Sequence, residues 1–111
     1  MDGARKVKHG LSSSIVRQLC AVFERYSDIR AVYLFGSRAK GNFRDGSDID
    51  LAVVAPEMTA ETFNTLWDEI DDLPIVFKLD CLHFESLSND LLKKKIEAEG
   101  VLFYDSVKNT M

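Results

Sequence analysis

Three aspartates and a glycine-serine pair carry the chemistry available to this chain of 111 residues. Asp48 and Asp50 stand two apart at the start of an apolar run. On a strand both point to one face, while Ile49, Leu51 and Val53 point to the other, into a core. Carboxylates side by side repel one another and burial raises the cost, so the arrangement is tolerated most easily with a cation between them. Oxygen donors without Cys or His select a hard ion, Mg²⁺ or Mn²⁺. An isolated Asp-x-Asp more often only caps a turn. Here Gly36-Ser37 directly follows a second apolar run. The glycine permits a sharp turn and the close approach of a ligand. The N–H groups and positive end of a helical turn, with the Ser37 hydroxyl, suit a phosphate. Arg38 and Lys40 add positive charge beside it. Together the two halves describe a site for a nucleoside triphosphate. Asp80 is the third acid. It lies within the apolar run IVFKLDCL, where a bare charge is costly. On a strand beside Asp48–Val54 it faces the same groove. Asp68, Glu69, Asp71 and Asp72 instead read as a solvated cluster on or near the polar face of a helix.

The elements that must position these groups follow from periodicity. Ser12–Ser14 offer N-caps to a helix that carries Ile15, Leu19, Val22, Phe23 and Tyr26 on one face. Ala31–Phe35 is a β-branched and aromatic strand bounded by Gly36. Ser37–Lys40 is one short helical turn, Gly41–Gly46 a polar turn, and Asp48–Ala55 a second strand closed by Pro56. Thr59 caps a second helix with Phe63, Leu66, Trp67 and Ile70 aligned. Ile75–Leu82 reads as a third strand. Ser88–Ala98 reads as a third helix, with Leu91, Leu92 and Ile96 inward and Gly100 as its stop. Val101–Tyr104 is a last short strand. The order predicts an α+β fold, an α/β sandwich with one mixed sheet of about four strands and helices packed on it. Residues 1–10 read as a disordered or tag-like start, 11–105 as the single domain and 106–111 as a polar tail.

Composition narrows the function. A net charge of -4 argues against gripping nucleic acid by bulk charge. No apolar run approaches the ~20 residues of a membrane span. Cys20 and Cys81 form no metal-ligand pattern and read as reduced, buried thiols of a cytoplasmic protein, with Cys81 alternating away from Asp80 into the core. His9 and His83 have no partners at metal spacing. Lys78 would share the face of Asp80, where it touches a phosphate, pairs with Asp80 or reaches solvent. Solvent is the favoured reading.

Gly36-Ser37, Ala39, Gly41, Ser47-Asp48 and Asp50-Leu51 form the pattern GS-x-A-x-G-x(5)-SD-x-DL. It resembles the signature of the DNA polymerase β-like nucleotidyltransferases. The order of elements and the small size look most like the minimal nucleotidyltransferases (MNT), which are usually encoded beside a HEPN-domain protein as the antitoxin of a toxin–antitoxin pair. The resemblance covers roughly Val16 to Tyr104. It implies a polymerase β palm-like fold with ATP as substrate and Mg²⁺, or Mn²⁺, as cofactor. Gly36 and Ser37 would then bind the triphosphate, with Arg38 and Ser47 beside them. Asp48 and Asp50 would hold both metals, and Asp80 the one near the acceptor. The implied chemistry is in-line attack of a hydroxyl on the α-phosphate with release of pyrophosphate. The implied acceptor is a tyrosine of a HEPN-type RNase toxin, which AMP silences. Two other readings stand beside it. One is a binding antitoxin that neutralises its partner by complex formation. The other is nucleotide transfer to a small molecule such as an aminoglycoside. The chain lacks an added acceptor domain, so a partner or a homodimer mate is expected to complete the open groove. The Lys93–Lys95 helix and the acids of the second helix are candidate contact surfaces.

Overall fold

The structure, a computed structural model, describes residues 9–44 and 46–107. Four helices, α1 (Ser13–Phe23), α2 (Ser37–Lys40), α3 (Ala60–Asp71) and α4 (Asp90–Glu99), alternate with four strands, β1 (Ala31–Phe35), β2 (Ile49–Val54), β3 (Leu79–His83) and β4 (Val101–Asp105). The strands form one mixed sheet in the order β3-β2-β1-β4. β1 runs antiparallel to β2 and to β4, while β2 and β3 are parallel. Parallel neighbours cannot be joined by a tight turn and need a crossover, which α3 supplies. This is the α+β architecture expected from the order of elements.

The two sheet faces have different work. On one, Leu19, Val22 and Phe23 of α1 and Leu66 and Ile70 of α3 are buried with Val32, Leu34, Leu51 and Val53 in a single core. The opposite face carries Asp50, Ala52 and Val54 beside Phe35, Tyr33 and Ala31. There the buried Ile96 of α4 lines a pocket together with Ala31, Tyr33 and Val54. Side-chain caps start the helices: Ser12 accepts from the Ile15 N–H, Thr59 from Thr62 and Asn89 from Leu92. Replacing Leu66, fully buried in α3, by alanine is expected to cost about 2–5 kcal/mol in urea unfolding. It should leave the acid-bearing face intact, because α3 packs on the other side.

Three local expectations change, and the two ends of the chain are described only in part. α1 ends at Phe23, so Tyr26 lies beyond it. The N–H groups of Arg25 and Tyr26 bond to the carbonyls of Val22 and Phe23, and this tighter i→i−3 pattern closes the helix. β3 begins at Leu79, not Ile75. Its partner β2 begins at Ile49, whose N–H donates to the Lys78 carbonyl at 2.8 Å, and no strand stands beside residues 75–77. Val76 is accordingly 94% exposed. In α4, capped by Asn89, Ile96 is buried but Leu91 is 79% exposed. Five residues apart places them about 140° apart around the helix, so both cannot face the sheet. Finally, of the start read as disordered or tag-like, residues 1–8 lie outside the described residues, while His9 and Gly10 are packed against Arg38. Of the tail, Ser106 is tied to the Arg30 carbonyl at 3.1 Å and residues 108–111 lie outside the described set. No helix among the described residues is long and apolar enough to cross a membrane.

Candidate active site

The register of the sheet assembles the acids. Asp50 on β2 is paired with Asp80 on β3 and with Phe35 on β1. Asp48 stands exposed just before β2, Asp50 is half-buried, and Asp80 is exposed on the edge strand. Phe35 leads directly into Gly36, at φ +79° and ψ -156°, a backbone region that is essentially glycine's alone. A Cβ at Gly36 would lie 2.5 Å from Asp50 Oδ2. The turn therefore lays its backbone against the central carboxylate.

α2 follows, with the Lys40 N–H bonded to the Gly36 carbonyl and that of Gly41 to Ser37. Four residues are too few to sum into a sizeable macrodipole. What this turn can offer a phosphate is its N–H groups and the Ser37 hydroxyl, not the helix-end field expected from the sequence.

The acids act on one another. The Asp50 carboxyl is raised above the ordinary aspartate value, first by burial, then by the negative charges of Asp80 and Asp48, with Arg38 opposing. An acid raised by folding favours the folded state when protonated. That contribution is fully present below the unfolded-state pKa and is lost as pH rises through the raised value. At neutral pH the ionised Asp50 is thus a load on the fold.

Arg38 lies elsewhere than expected. It is 1% exposed and turned inward. Nε and Nη2 both donate to the Ser47 carbonyl, at 3.0 and 2.9 Å, and Nη1 donates to the His9 carbonyl at 2.8 Å. Its guanidinium lies between the Phe43 and Phe77 rings, 4.9 and 4.7 Å from their centroids. The charge expected beside a phosphate therefore reaches the site from beneath. Ser47 is drawn into the same turn: its hydroxyl accepts from the Arg44 N–H at 2.8 Å. Lys40 pairs with Glu99 at 3.7 Å, and Lys78 is exposed to solvent.

Phe43, Phe77 and His9 were not legible as site-supporting residues. The one hint was an aromatic residue, Phe43, in an otherwise polar turn. The remaining candidates stay in the framework. Cys81 is in the core, where burial pushes its thiol up to about 12. Cys20 is only half-buried, less than expected, with its thiol at about 11. His83 donates from Nε2 to the Ala55 carbonyl, accepts from the Ser86 hydroxyl at Nδ1, and stacks on Phe63.

The donor set suits a hard divalent cation: three carboxylates at neighbouring positions, with no thiolate or imidazole among them. Among the described residues no three His, Cys, Asp or Glu side chains already close into a cage. Asp48 and Asp80 are exposed, so their carboxylates have room to turn toward Asp50. A glycine-lined turn against clustered carboxylates can hold a polyphosphate through cations and present it to a nucleophile.

The chain is similar to known proteins in sequence and in fold. The family model for polymerase beta, nucleotidyltransferase, matches residues 17–109. A Methanocaldococcus jannaschii protein assigned as a protein adenylyltransferase is 29% identical over 87 residues, which span 77% of this chain and 87% of that one. A chain of a toxin–antitoxin crystal structure with AMP-PNP aligns with a TM-score of 0.67 at 19% identity, covering 85% of this chain and 76% of that one. A chain from the complex of tri-AMPylated Shewanella oneidensis HEPN toxin with MNT antitoxin aligns with a TM-score of 0.56 at 17% identity, covering 87% and 75%. At such identities the structural likenesses establish a shared fold.

Proposed function

Because the chain belongs to the polymerase beta nucleotidyltransferase family, we propose that it moves AMP from ATP to a tyrosine hydroxyl of a partner HEPN-type RNase toxin and thereby acts as its antitoxin. The observation that carries this reading is the in-register Asp50–Asp80 pair, with Asp48 beside it, pressed against the Gly36 turn. A relative assigned as a protein adenylyltransferase supports the protein acceptor. Folds shared with toxin–antitoxin complexes, one with AMP-PNP and one with AMPylated toxin, support the partner.

In this reading Gly36 lets the phosphates approach the carboxylates without a side chain between them. The Ser37 hydroxyl donates to a terminal phosphate oxygen. Asp48, Asp50 and Asp80 would hold Mg²⁺ or Mn²⁺. Bound there, the ions neutralise phosphate charge and make the acceptor hydroxyl more acidic. Asp80, on the edge strand with no further strand beyond it, stands where an acceptor arrives from outside. It orients the hydroxyl and accepts its proton as the new oxygen–phosphorus bond forms and the bond to pyrophosphate breaks. The partner supplies the missing wall of the groove.

The test is intact-mass spectrometry of the chain mixed with ATP, Mg²⁺ and the protein product of its neighbouring gene. The expected result is a gain of AMP on that protein, lost with EDTA and lost in the Asp48→Asn, Asp50→Asn double variant. Tight binding without transfer, unchanged by the substitutions, would overturn the enzymatic reading and leave a binding antitoxin. AMP appearing on an added aminoglycoside and never on protein would move the acceptor to a small molecule.

A further inference from the structure

We propose that Arg38 is a positioning residue that locks the phosphate-facing turn, the Asp48–Asp50 segment and the Asp80 segment into one register. Its importance to transfer rests on the function proposed above; its structural role does not.

One side chain, two residues from Gly36, reaches the segments that lead into Asp48 and toward Asp80. Arg38 lies two residues after Gly36. It binds the carbonyl of Ser47, which immediately precedes Asp48, through two donors. It stacks on Phe77, three residues before Asp80. It also binds the carbonyl of His9, on the segment that enters α1. Gly10 presses on the same assembly: a Cβ there would stand 2.5 Å from Arg38 Nη1 and 2.5 Å from the Phe43 ring.

A buried guanidinium is costly unless its donors are met. Here Nε, Nη1 and Nη2 all donate, the guanidinium carbon lies over two aromatic rings, and no buried side-chain nitrogen or oxygen among the described residues lacks a partner. The double donation to one carbonyl needs a planar fork, which lysine does not have. A residue kept only for its charge toward phosphate would face the groove, and Arg38 does not.

The test compares wild type with Arg38→Lys and Phe77→Leu by native-state amide hydrogen exchange and by steady-state AMP transfer. Arg38→Lys keeps the charge and removes the fork. The expected result is exchange at least tenfold faster at Ile49, whose amide bonds to Lys78, with the core amides of Leu34 and Val53 unchanged. Transfer should fall at least tenfold in kcat, with a smaller change in KM for ATP. Phe77→Leu, which removes one stacking face, should give the same pattern with smaller amplitude. Uniform acceleration at all amides would reduce Arg38 to a general stabiliser and overturn the proposal. Unchanged exchange, or wild-type kcat in Arg38→Lys, would overturn it too. If the wild type transfers no AMP, the function reading fails while the exchange pattern still decides the role of Arg38.

Discussion

Asp50→Asn is expected to lower AMP transfer about 10³-fold, the scale seen when one well-placed electrostatic group is removed, and yet to yield a protein that melts at a higher temperature at neutral pH. The two effects have one cause. Asp50 is held half-buried beside Asp48 and Asp80, and burial first, then both neighbours, push its carboxyl above the ordinary range. The ionised form therefore opposes folding, and asparagine of nearly the same shape removes that opposition. The sign can be followed with pH. Below the unfolded-state pKa both proteins carry a neutral group there, and their melting temperatures should converge. As pH rises through the raised Asp50 value, the wild type loses its share of stability and the gap should open. Melting curves without divalent cations from pH 4 to 8 measure it. A variant less stable than wild type at pH 7 would mean that Asp50 is held by favourable partners and not strained by its neighbours.

Gly36→Ala should fail on both counts. Its backbone, at φ +79° and ψ -156°, is in a region that costs a side-chain-bearing residue about 1–3 kcal/mol. The new Cβ would meet Asp50 Oδ2 at 2.5 Å. The carboxylate must swing away from the turn, or the turn must move out from the sheet. Either disrupts the contact on which the proposed chemistry depends, so transfer should fall by about 10²-fold or more, as when atoms are displaced by an ångström from productive geometry. Gly41→Ala is the control. Gly41 also has positive φ, at +87°, but nothing lies within 4 Å of its would-be Cβ. It should lose about 1 kcal/mol to left-handed strain and keep its transfer rate. Urea unfolding and initial rates on the pair separate backbone strain from damage to the site. Equal losses of activity in both would sink the idea that Gly36 matters through Asp50.

The parts of this site that were legible in the sequence are those with local causes. The Asp-x-Asp spacing at the head of an apolar run brings Asp48 and Asp50 together at the start of β2, and the charge of Asp80 in an apolar run marks it as needing company. Gly36 is legible because a strand stops there. What escaped depends on neighbours distant in sequence. Ile75–Lys78 has the composition of a strand, but strand structure requires a partner, and β2 does not extend that far. Leu91 looked inward by residue type, and the rotation of α4 that buries Ile96 turns it outward. Arg38 was the largest displacement. Beside Gly36-Ser37 a basic residue suggests a phosphate. Only the folded chain brings His9, Phe43, Ser47 and Phe77 around it.

The parallel pairing of β2 with β3 also has a consequence in time. β1 and β2 are antiparallel and joined by a local connection, so Gly36, Asp48 and Asp50 can meet after closing a short loop. Asp80 joins only when the longer passage through α3 has docked β3 against β2. The entropy of closing that passage is spent before the pairing rewards it, which makes such contacts slow to form. The Gly36 turn and two acids are therefore expected to precede the third acid during assembly. A nascent chain that has not yet exposed Leu79–His83 holds most of the site's motif but lacks Asp80.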